Sequence, residues 1–70
     1  MNIQKAVKEA VKIGGYIARR EWAGALQLQP MDSPECCICS AKGRAPCPRW
    51  QPGAKDLMAE DWEVTTEEWF

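Results

Sequence analysis

The chain has 70 residues, a net charge of −1 at pH 7, four tryptophans, four cysteines and no histidine. This length allows a single domain, residues 1–70, whose core is too small to stabilise it by a wide margin. The near-neutral charge and the lack of a basic block argue against a nucleic-acid polymer as partner, and no apolar run approaches the roughly 20 residues that span a bilayer.

The first segment predicts an amphipathic helix over about residues 3–13. Apolar residues recur there at the three- and four-residue steps of one helical face: Ile3, Ala6, Val7, Ala10 and Val11. Asn2 is a suitable N-cap, and Gly14-Gly15 supplies the positive φ that ends a helix. The lysines on the opposite side are expected to be solvated.

Short strands and turns are predicted after the helix. Strands are expected at residues 16–19, 25–29, 35–40, 45–50 and 60–64. A turn at 21–24, a loop at 30–34 and a hairpin turn at 41–44 separate them, and residues 54–59 form one or two helical turns. The predicted fold class is therefore α+β, with the N-terminal helix packed on a small, mostly antiparallel sheet.

Several of these elements carry expectations about burial. In the second strand, Leu26 and Leu28 alternate with glutamines, so both leucines are expected to face inward. Leu57 and Trp62, on the apolar side of the terminal elements, are assigned to the core. The two prolines of strand 45–50 lack N–H groups on one side, which predicts a position at the edge of the sheet.

Four tryptophans are an unusual number for a chain of this length. Each indole buries roughly 150–250 Å² when it is packed away, which is more than a small monomer easily hides. We therefore expect a homo-oligomer, in which the acidic tail, residues 65–70, orders only against a neighbouring subunit.

The cysteines, Cys36, Cys37, Cys39 and Cys47, leave three interpretations open. A disulfide framework is typical of secreted proteins, but the first residues lack an apolar signal stretch, which favours a cytoplasmic protein. A zinc site would prefer Cys-x2-Cys pairs or histidines. We favour reduced thiols that act as small apolar residues, with no bound metal and no cofactor.

Catalysis is not expected. Histidine, the commonest general acid–base group, does not occur, and Gly14-Gly15 is a helix stop rather than a phosphate loop. Asp56, Glu60 and Asp61 are closely spaced carboxylates, but capping and solvated surface are commoner uses than an acid–base pair. We therefore name no catalytic residue.

Ligand binding is better supported by the tryptophans that follow arginines. Trp22 comes after Arg19-Arg20, and Trp50 comes after Arg49. An indole face stacks on a purine, and a guanidinium makes a bidentate contact with phosphate. Arginine also stacks on tryptophan for purely structural reasons, so the residues alone leave both interpretations open.

Three motifs, in order, resemble the second Thoeris anti-defence family of phage proteins. They are the N-terminal helix, the bend Arg19-Arg20-Glu21-Trp22-Ala23-Gly24, and the tract from Trp50 to Val64. Within that tract, Asp56-Leu57-Met58-Ala59-Glu60-Asp61-Trp62 matches the family in order and spacing. The resemblance extends over nearly the whole chain, and its specific part is confined to the final third.

The resemblance implies a sponge for cyclic signalling nucleotides made by bacterial immune enzymes. Family members hold the nucleotide without cleaving it, in pockets between the protomers of a homotetramer in the host cytoplasm. In this chain, Trp22 and Trp50 are then expected to stack on bases. The phosphate candidates are Arg19, Arg20 and Arg49. Asp56 either accepts from a base or ribose hydroxyl or caps the helical turn after Gly53.

Two departures from the family affect the choice of ligand. Gly53-Ala54 stands where the family usually has Ser-Gln, and Ala23-Gly24 where it has Asn-Gly. Both replace polar side chains that read a base or ribose, so a cyclic ADP-ribose derivative and a cyclic dinucleotide both remain candidates. The alternative function is a protein–protein interaction module that inhibits an immune enzyme directly, with Trp69-Phe70 as an exposed anchor.

Overall fold

The computed structural model describes residues 1–31, 37–41, 50 and 52–69. In chain order they form helix α1 (Ile3–Ile13), strand β1 (Tyr16–Arg19), a 3-10 turn (Arg20–Trp22), strands β2 (Leu26–Pro30) and β3 (Cys37–Ala41), helix α2 (Ala54–Met58) and strand β4 (Trp62–Thr65). Most of the predicted hairpin turn and of strand 45–50 lies outside the described residues, as do Cys36, Cys47 and Arg49.

Helix α1 has the bounds and caps that its sequence predicts. The Asn2 side chain accepts a hydrogen bond of 2.9 Å from the backbone N–H of Lys5, which satisfies one of the free donors of the first turn. The helix ends at Gly14, where φ is 67°. Its buried residues are Ala6 and Ala10, one turn apart, whose small side chains let the helix lie close to the sheet.

The four described strands form one antiparallel sheet in the order β3-β2-β1-β4. The register pairs Ile17 with Leu28 on one side of β1 and with Val64 on the other. The antiparallel α+β fold is thereby confirmed. Strand β1 has the predicted bounds, and the ends of β2, β3 and β4 differ from the predicted ones by one or two residues. Strand β2 extends to Pro30, which the missing N–H permits at a strand end.

The core lies between α1 and the centre of the sheet. Its buried cluster consists of Ala6, Ala10, Ile17, Leu28 and Trp62. Trp62 is 1% exposed, so its assignment to the core is confirmed. Leu57 is 50% exposed, so the same assignment is wrong for that residue.

The exposure of Leu57 follows from the way α2 is attached. The preceding residue, Asp56, faces the protein and pairs with an arginine of β1. Successive residues of an α-helix point about 100° apart, so Leu57 is rotated away from that contact. An apolar residue in a five-residue helix therefore lies at the surface, because the ion pair fixes which side of α2 faces inward.

Strand β2 is covered on both faces, which its alternating sequence does not indicate. Gln27 is 1% exposed and Leu28 is fully buried, whereas Leu26 is only half-buried. The Gln27 amide donates to the carbonyl of Glu67 at 2.7 Å and accepts from the N–H of Trp69 at 3.1 Å. The segment 67–69 thus packs against its own chain, contrary to the expectation that it orders only against a neighbour.

Neither helix in the described part of the chain has the length and apolarity that a membrane crossing requires. Within the same residues, no thiols and carboxylates are grouped in a way that would hold a metal ion.

Candidate ligand-binding site

Three tryptophans from different parts of the chain form one cluster. The ring centroids of Trp22 and Trp62 are 5.2 Å apart, those of Trp50 and Trp62 are 6.0 Å apart, and those of Trp22 and Trp50 are 6.2 Å apart. The ring planes meet at 75–83°, the edge-to-face arrangement that the indole quadrupole favours. Trp62 is buried, while Trp22 and Trp50 remain half-buried and offer accessible indole surface.

Backbone contacts hold two of these tryptophans in place. The indole N–H of Trp62 donates to the carbonyl of Asp56 at 2.9 Å, which ties α2 to the core. The backbone N–H of Trp50 donates to the carbonyl of Cys37 at 3.1 Å, at the start of β3. The cluster is therefore attached to both edge strands of the sheet.

Arg19, at the end of β1, is surrounded by carboxylates. Its guanidinium contacts Glu21 at 2.7 Å, Asp56 at 2.8 Å and Asp61 at 2.9 Å, and its side chain is 11% exposed. The hydrogen bond to Asp61, followed by that to Asp56, raises the pKa of Arg19. One side chain thus links β1, the 3-10 turn, α2 and the residue that precedes β4.

Asp61 belongs to the site, although the sequence indicates only a capping or solvated carboxylate at this position. Its Oδ1 accepts from Arg19 Nε at 2.9 Å and its Oδ2 accepts from the backbone N–H of Glu21 at 3.0 Å. The hydrogen bond from Arg19 lowers the pKa of Asp61 below its ordinary value, and the hydrogen bond from the Glu21 backbone lowers it further. The sequence signal for this role is its place in the Ala59-Glu60-Asp61-Trp62 motif.

Arg20 differs from its neighbour in exposure. Its side chain is 74% exposed and makes one long contact of 3.5 Å with Glu63. A pair at this distance between exposed groups contributes little to stability. Arg20 is therefore the arginine among the described site residues whose guanidinium is available to a ligand.

Gly53, Ala54 and Asp56 belong to the start of α2. The Asp56 Oδ2 accepts from the N–H of Gly53 at 3.3 Å, while its Oδ1 is engaged by Arg19. The capping alternative for Asp56 is therefore present in the structure. Gly53 and Ala54 are exposed, so the loop that departs from the family motif faces solvent.

The structure brings the predicted residues into two adjoining groups. Trp22 and Trp50 meet in the tryptophan cluster, and Arg19 and Asp56 meet in the ion-pair network. Trp62 joins the two groups because its ring packs in the cluster and its N–H is held by Asp56. The position of Arg49 lies outside the described residues.

A separate concavity of about 350 Å³ lies along α1 and is lined by Met1, Lys5, Lys8, Glu9 and Lys12. These side chains are exposed, as the sequence predicts for the solvated face of the helix. None of them belongs to the tryptophan cluster or to the ion-pair network, so we assign the concavity no part in the candidate site.

The family model of the Thoeris anti-defense 2-like domain matches residues 1–65. No curated protein and no solved structure matches the chain.

Proposed function

Because the chain belongs to the Thoeris anti-defense 2-like family, we propose that it counters bacterial immune signalling by sequestering a cyclic nucleotide without cleaving it. The ligand is a cyclic ADP-ribose derivative or a cyclic dinucleotide, and the site of action is the cytoplasm of a phage-infected bacterium. The tryptophan cluster is the observation that supports this proposal most directly.

Two half-buried indoles are suited to bind flat aromatic groups. A base stacked on an indole contributes about 1–3 kcal/mol, and every base has a face that can stack in this way. Trp22 and Trp50 are held by a buried third tryptophan and by backbone hydrogen bonds, so little conformational entropy is lost when a ligand binds. This arrangement supports tight retention, which a sponge requires.

The arginines divide into two roles in this proposal. Arg20, exposed and weakly paired, contacts the ligand phosphate, and Arg49 is a second phosphate candidate from the sequence. Arg19 already faces three carboxylates at 2.7–2.9 Å, so a phosphate would have to displace them. We therefore assign Arg19 and Asp56 to holding the site together.

The same contacts favour binding over cleavage. A general acid or base works best when its pKa lies near the working pH. The pKa of Asp61 is lowered by Arg19, which keeps this carboxyl ionised and a poor proton donor at neutral pH. The two oxygens of Asp56 accept hydrogen bonds from Arg19 and from the N–H of Gly53, so this carboxylate is occupied by contacts within the fold.

Oligomerisation belongs to the proposal because the surface carries exposed apolar side chains. Those among the described residues are Met1, Val11, Ile13, Leu57, Met58 and Trp69, with exposures between 39% and 73%. Where such side chains adjoin one another, as Leu57 and Met58 do along α2, the exposed apolar area is typical of an interaction surface. A homotetramer would cover it, and light scattering that gives the mass of a monomer would count against this element.

Titration calorimetry against a panel of cyclic nucleotides tests whether the protein binds such a ligand and which one it prefers. We expect binding by the wild type and recovery of intact nucleotide after heat denaturation. Arg20→Gln should weaken binding about 10- to 150-fold, as expected for the loss of hydrogen bonds to a charged group. Lys12→Gln makes the same change of charge on the exposed face of α1 and should bind like the wild type. No heat with any nucleotide at micromolar protein would refute sequestration.

The alternative, an interaction module that inhibits an immune enzyme directly, is favoured by Trp69, which is 39% exposed. Removing residues 65–70 would also remove the partner of buried Gln27, so Trp69→Ala is the cleaner test. This substitution keeps the backbone N–H that Gln27 holds. A sponge should keep its nucleotide affinity, whereas an anchor-driven inhibitor should lose its activity against the enzyme.

A further inference from the structure

The 3-10 turn that carries Arg20 and Trp22 is not stable in isolation. Its N-cap, Arg19, makes no side-chain hydrogen bond to the first N–H groups of the turn. Its C-cap, Ala23, has φ of 52°, a left-handed conformation that residues with a Cβ adopt at an energetic cost. A turn with free donors at one end and strain at the other requires support from elsewhere in the fold.

Asp61 supplies that support from a distant part of the chain. Its backbone carbonyl accepts from the N–H of Arg20 at 3.0 Å, and its carboxylate accepts from the N–H of Glu21 at 3.0 Å. The other carboxylate oxygen holds the guanidinium of Arg19 at 2.9 Å. Three successive residues immediately before Trp22 are thus bound by one residue, which takes the place of the missing local cap.

We propose that Asp61 is a positioning residue of the ligand site, which caps the 3-10 turn from across the fold and so presents Trp22 and Arg20 in their binding geometry. The effect on ligand affinity rests on the proposed nucleotide-binding function, whereas the effect on the tryptophan cluster does not. Without the cap, the turn spends part of its time relaxed, and apparent affinity falls in proportion to the competent fraction.

The conformational part of the proposal can be measured without ligand. Edge-to-face indoles 5.2–6.2 Å apart couple their transitions, so near-ultraviolet circular dichroism reports the arrangement of the cluster. Asp61→Ala removes the carboxylate but keeps the backbone carbonyl, and Asp61→Asn keeps one acceptor oxygen without the charge. Glu60→Gln is the matched control, because it changes an exposed carboxylate one residue away.

We expect Asp61→Ala to lose much of the near-ultraviolet signal and about tenfold or more in nucleotide affinity, with far-ultraviolet signal retained. Asp61→Asn should be intermediate. Ala23→Gly relieves the left-handed strain and should restore part of the near-ultraviolet signal and affinity in the Asp61→Ala background, while the far-ultraviolet signal, which reports general destabilisation, stays the same in both variants. Glu60→Gln should behave like the wild type.

The proposal is overturned if Asp61→Ala keeps both signal and affinity as Glu60→Gln does, or if both Asp61 variants lose all secondary structure, since Asp61 then acts on the whole fold. A wild type that binds no nucleotide would refute the proposed function alone, because the ligand-free spectra would still decide whether Asp61 positions the tryptophan cluster.

Discussion

Gln27→Met removes the two hydrogen bonds by which β2 holds the C-terminal segment. The Gln27 side chain is 1% exposed and contacts the carbonyl of Glu67 at 2.7 Å and the N–H of Trp69 at 3.1 Å. Methionine has a similar length and shape but no amide, so packing is conserved while both bonds are lost. The substitution therefore isolates the contribution of the amide.

The expected cost follows from the number of bonds. A hydrogen bond contributes about 1 kcal/mol net to stability, so the loss of two costs about 2 kcal/mol. In a domain of this size, each kcal/mol shifts the melting temperature by about 4–8 °C, which gives a decrease of about 8–16 °C. Gln27→Glu should cost more at neutral pH, because a carboxylate would face the Glu67 carbonyl in a buried position.

The pH dependence of the Gln27→Glu variant has a defined sign. The protonated acid reproduces both contacts, since its O–H donates to one carbonyl and its other oxygen accepts from Trp69. Burial favours this neutral form, so folding raises the pKa of the introduced carboxyl above the ordinary value of about 4.3. The stability of the variant relative to Gln27→Met should therefore be highest in acid and fall as the pH rises above about 4.3.

Thermal melts and amide exchange at Trp69 are the assays, and Gln4→Met, on the exposed face of α1, is the matched control. We expect the Trp69 amide to exchange faster in Gln27→Met, and the slowest amides of α1 to lose about 30-fold in protection, which corresponds to about 2 kcal/mol of global stability. If Gln27→Met melts within about 2 °C of the control and Trp69 exchange does not change, the amide contributes nothing to stability and the reasoning is wrong.

Three further predictions concern stability. Trp62→Ala should lower the free energy of unfolding, measured in urea, by about 3–5 kcal/mol, whereas Leu57→Ala, at a position that is 50% exposed, should lower it by less than about 1 kcal/mol. Comparable losses would show that the assignment of the core is incorrect. Gly15→Ala should lower the melting temperature more than Gly14→Ala, because a Cβ at Gly15 would lie 2.6 Å from the carbonyl oxygen of Thr65. At Gly14 a Cβ would meet no other atom, and only the φ of 67° would strain the alanine. The reverse order of melting temperatures would contradict this placement of β4. Folding lowers the pKa of Asp61 below 3.8, so the stabilising contribution of this carboxylate is complete above that pH and is lost as the pH falls through the lowered pKa. Asp61→Asn should flatten this part of the acid unfolding curve. An unchanged curve would exclude the Arg19–Asp61 contact.

The elements with local signals could be predicted from the sequence. Helix α1 is specified by its apolar period, by the Asn2 cap and by the glycine that follows Ile13, and all three signals lie within a few residues of the helix. Strand β1 and helix α2 are bounded by similar turn residues. The tryptophan cluster was predictable only in part, because sequence order places Trp22 and Trp50 next to arginines without bringing the two indoles together.

The remaining features depend on contacts between distant residues. Asp61 lies 42 positions from Arg19 and becomes its partner only through the pairing of β1 with β4. Gln27 has the pattern of a solvent-facing residue because the segment that covers it is 40 positions away. Leu57 has the composition of a core residue, but an ion pair at the preceding position turns it outward. Each misassignment arises where a tertiary contact overrides a local pattern.

The position of β1 between β2 and β4 has a consequence for synthesis on the ribosome. Strand β1 is made early and can pair with β2 soon afterwards, but its other neighbour begins only at Trp62. Pairing of Tyr16 with Thr65 closes a long loop, and contacts of this kind form late and slowly. Both the ion-pair network and the tryptophan cluster require that closure. A nascent chain should therefore form neither the network nor the cluster until Thr65 has emerged, so the proposed nucleotide binding would begin in one step with the pairing of β4.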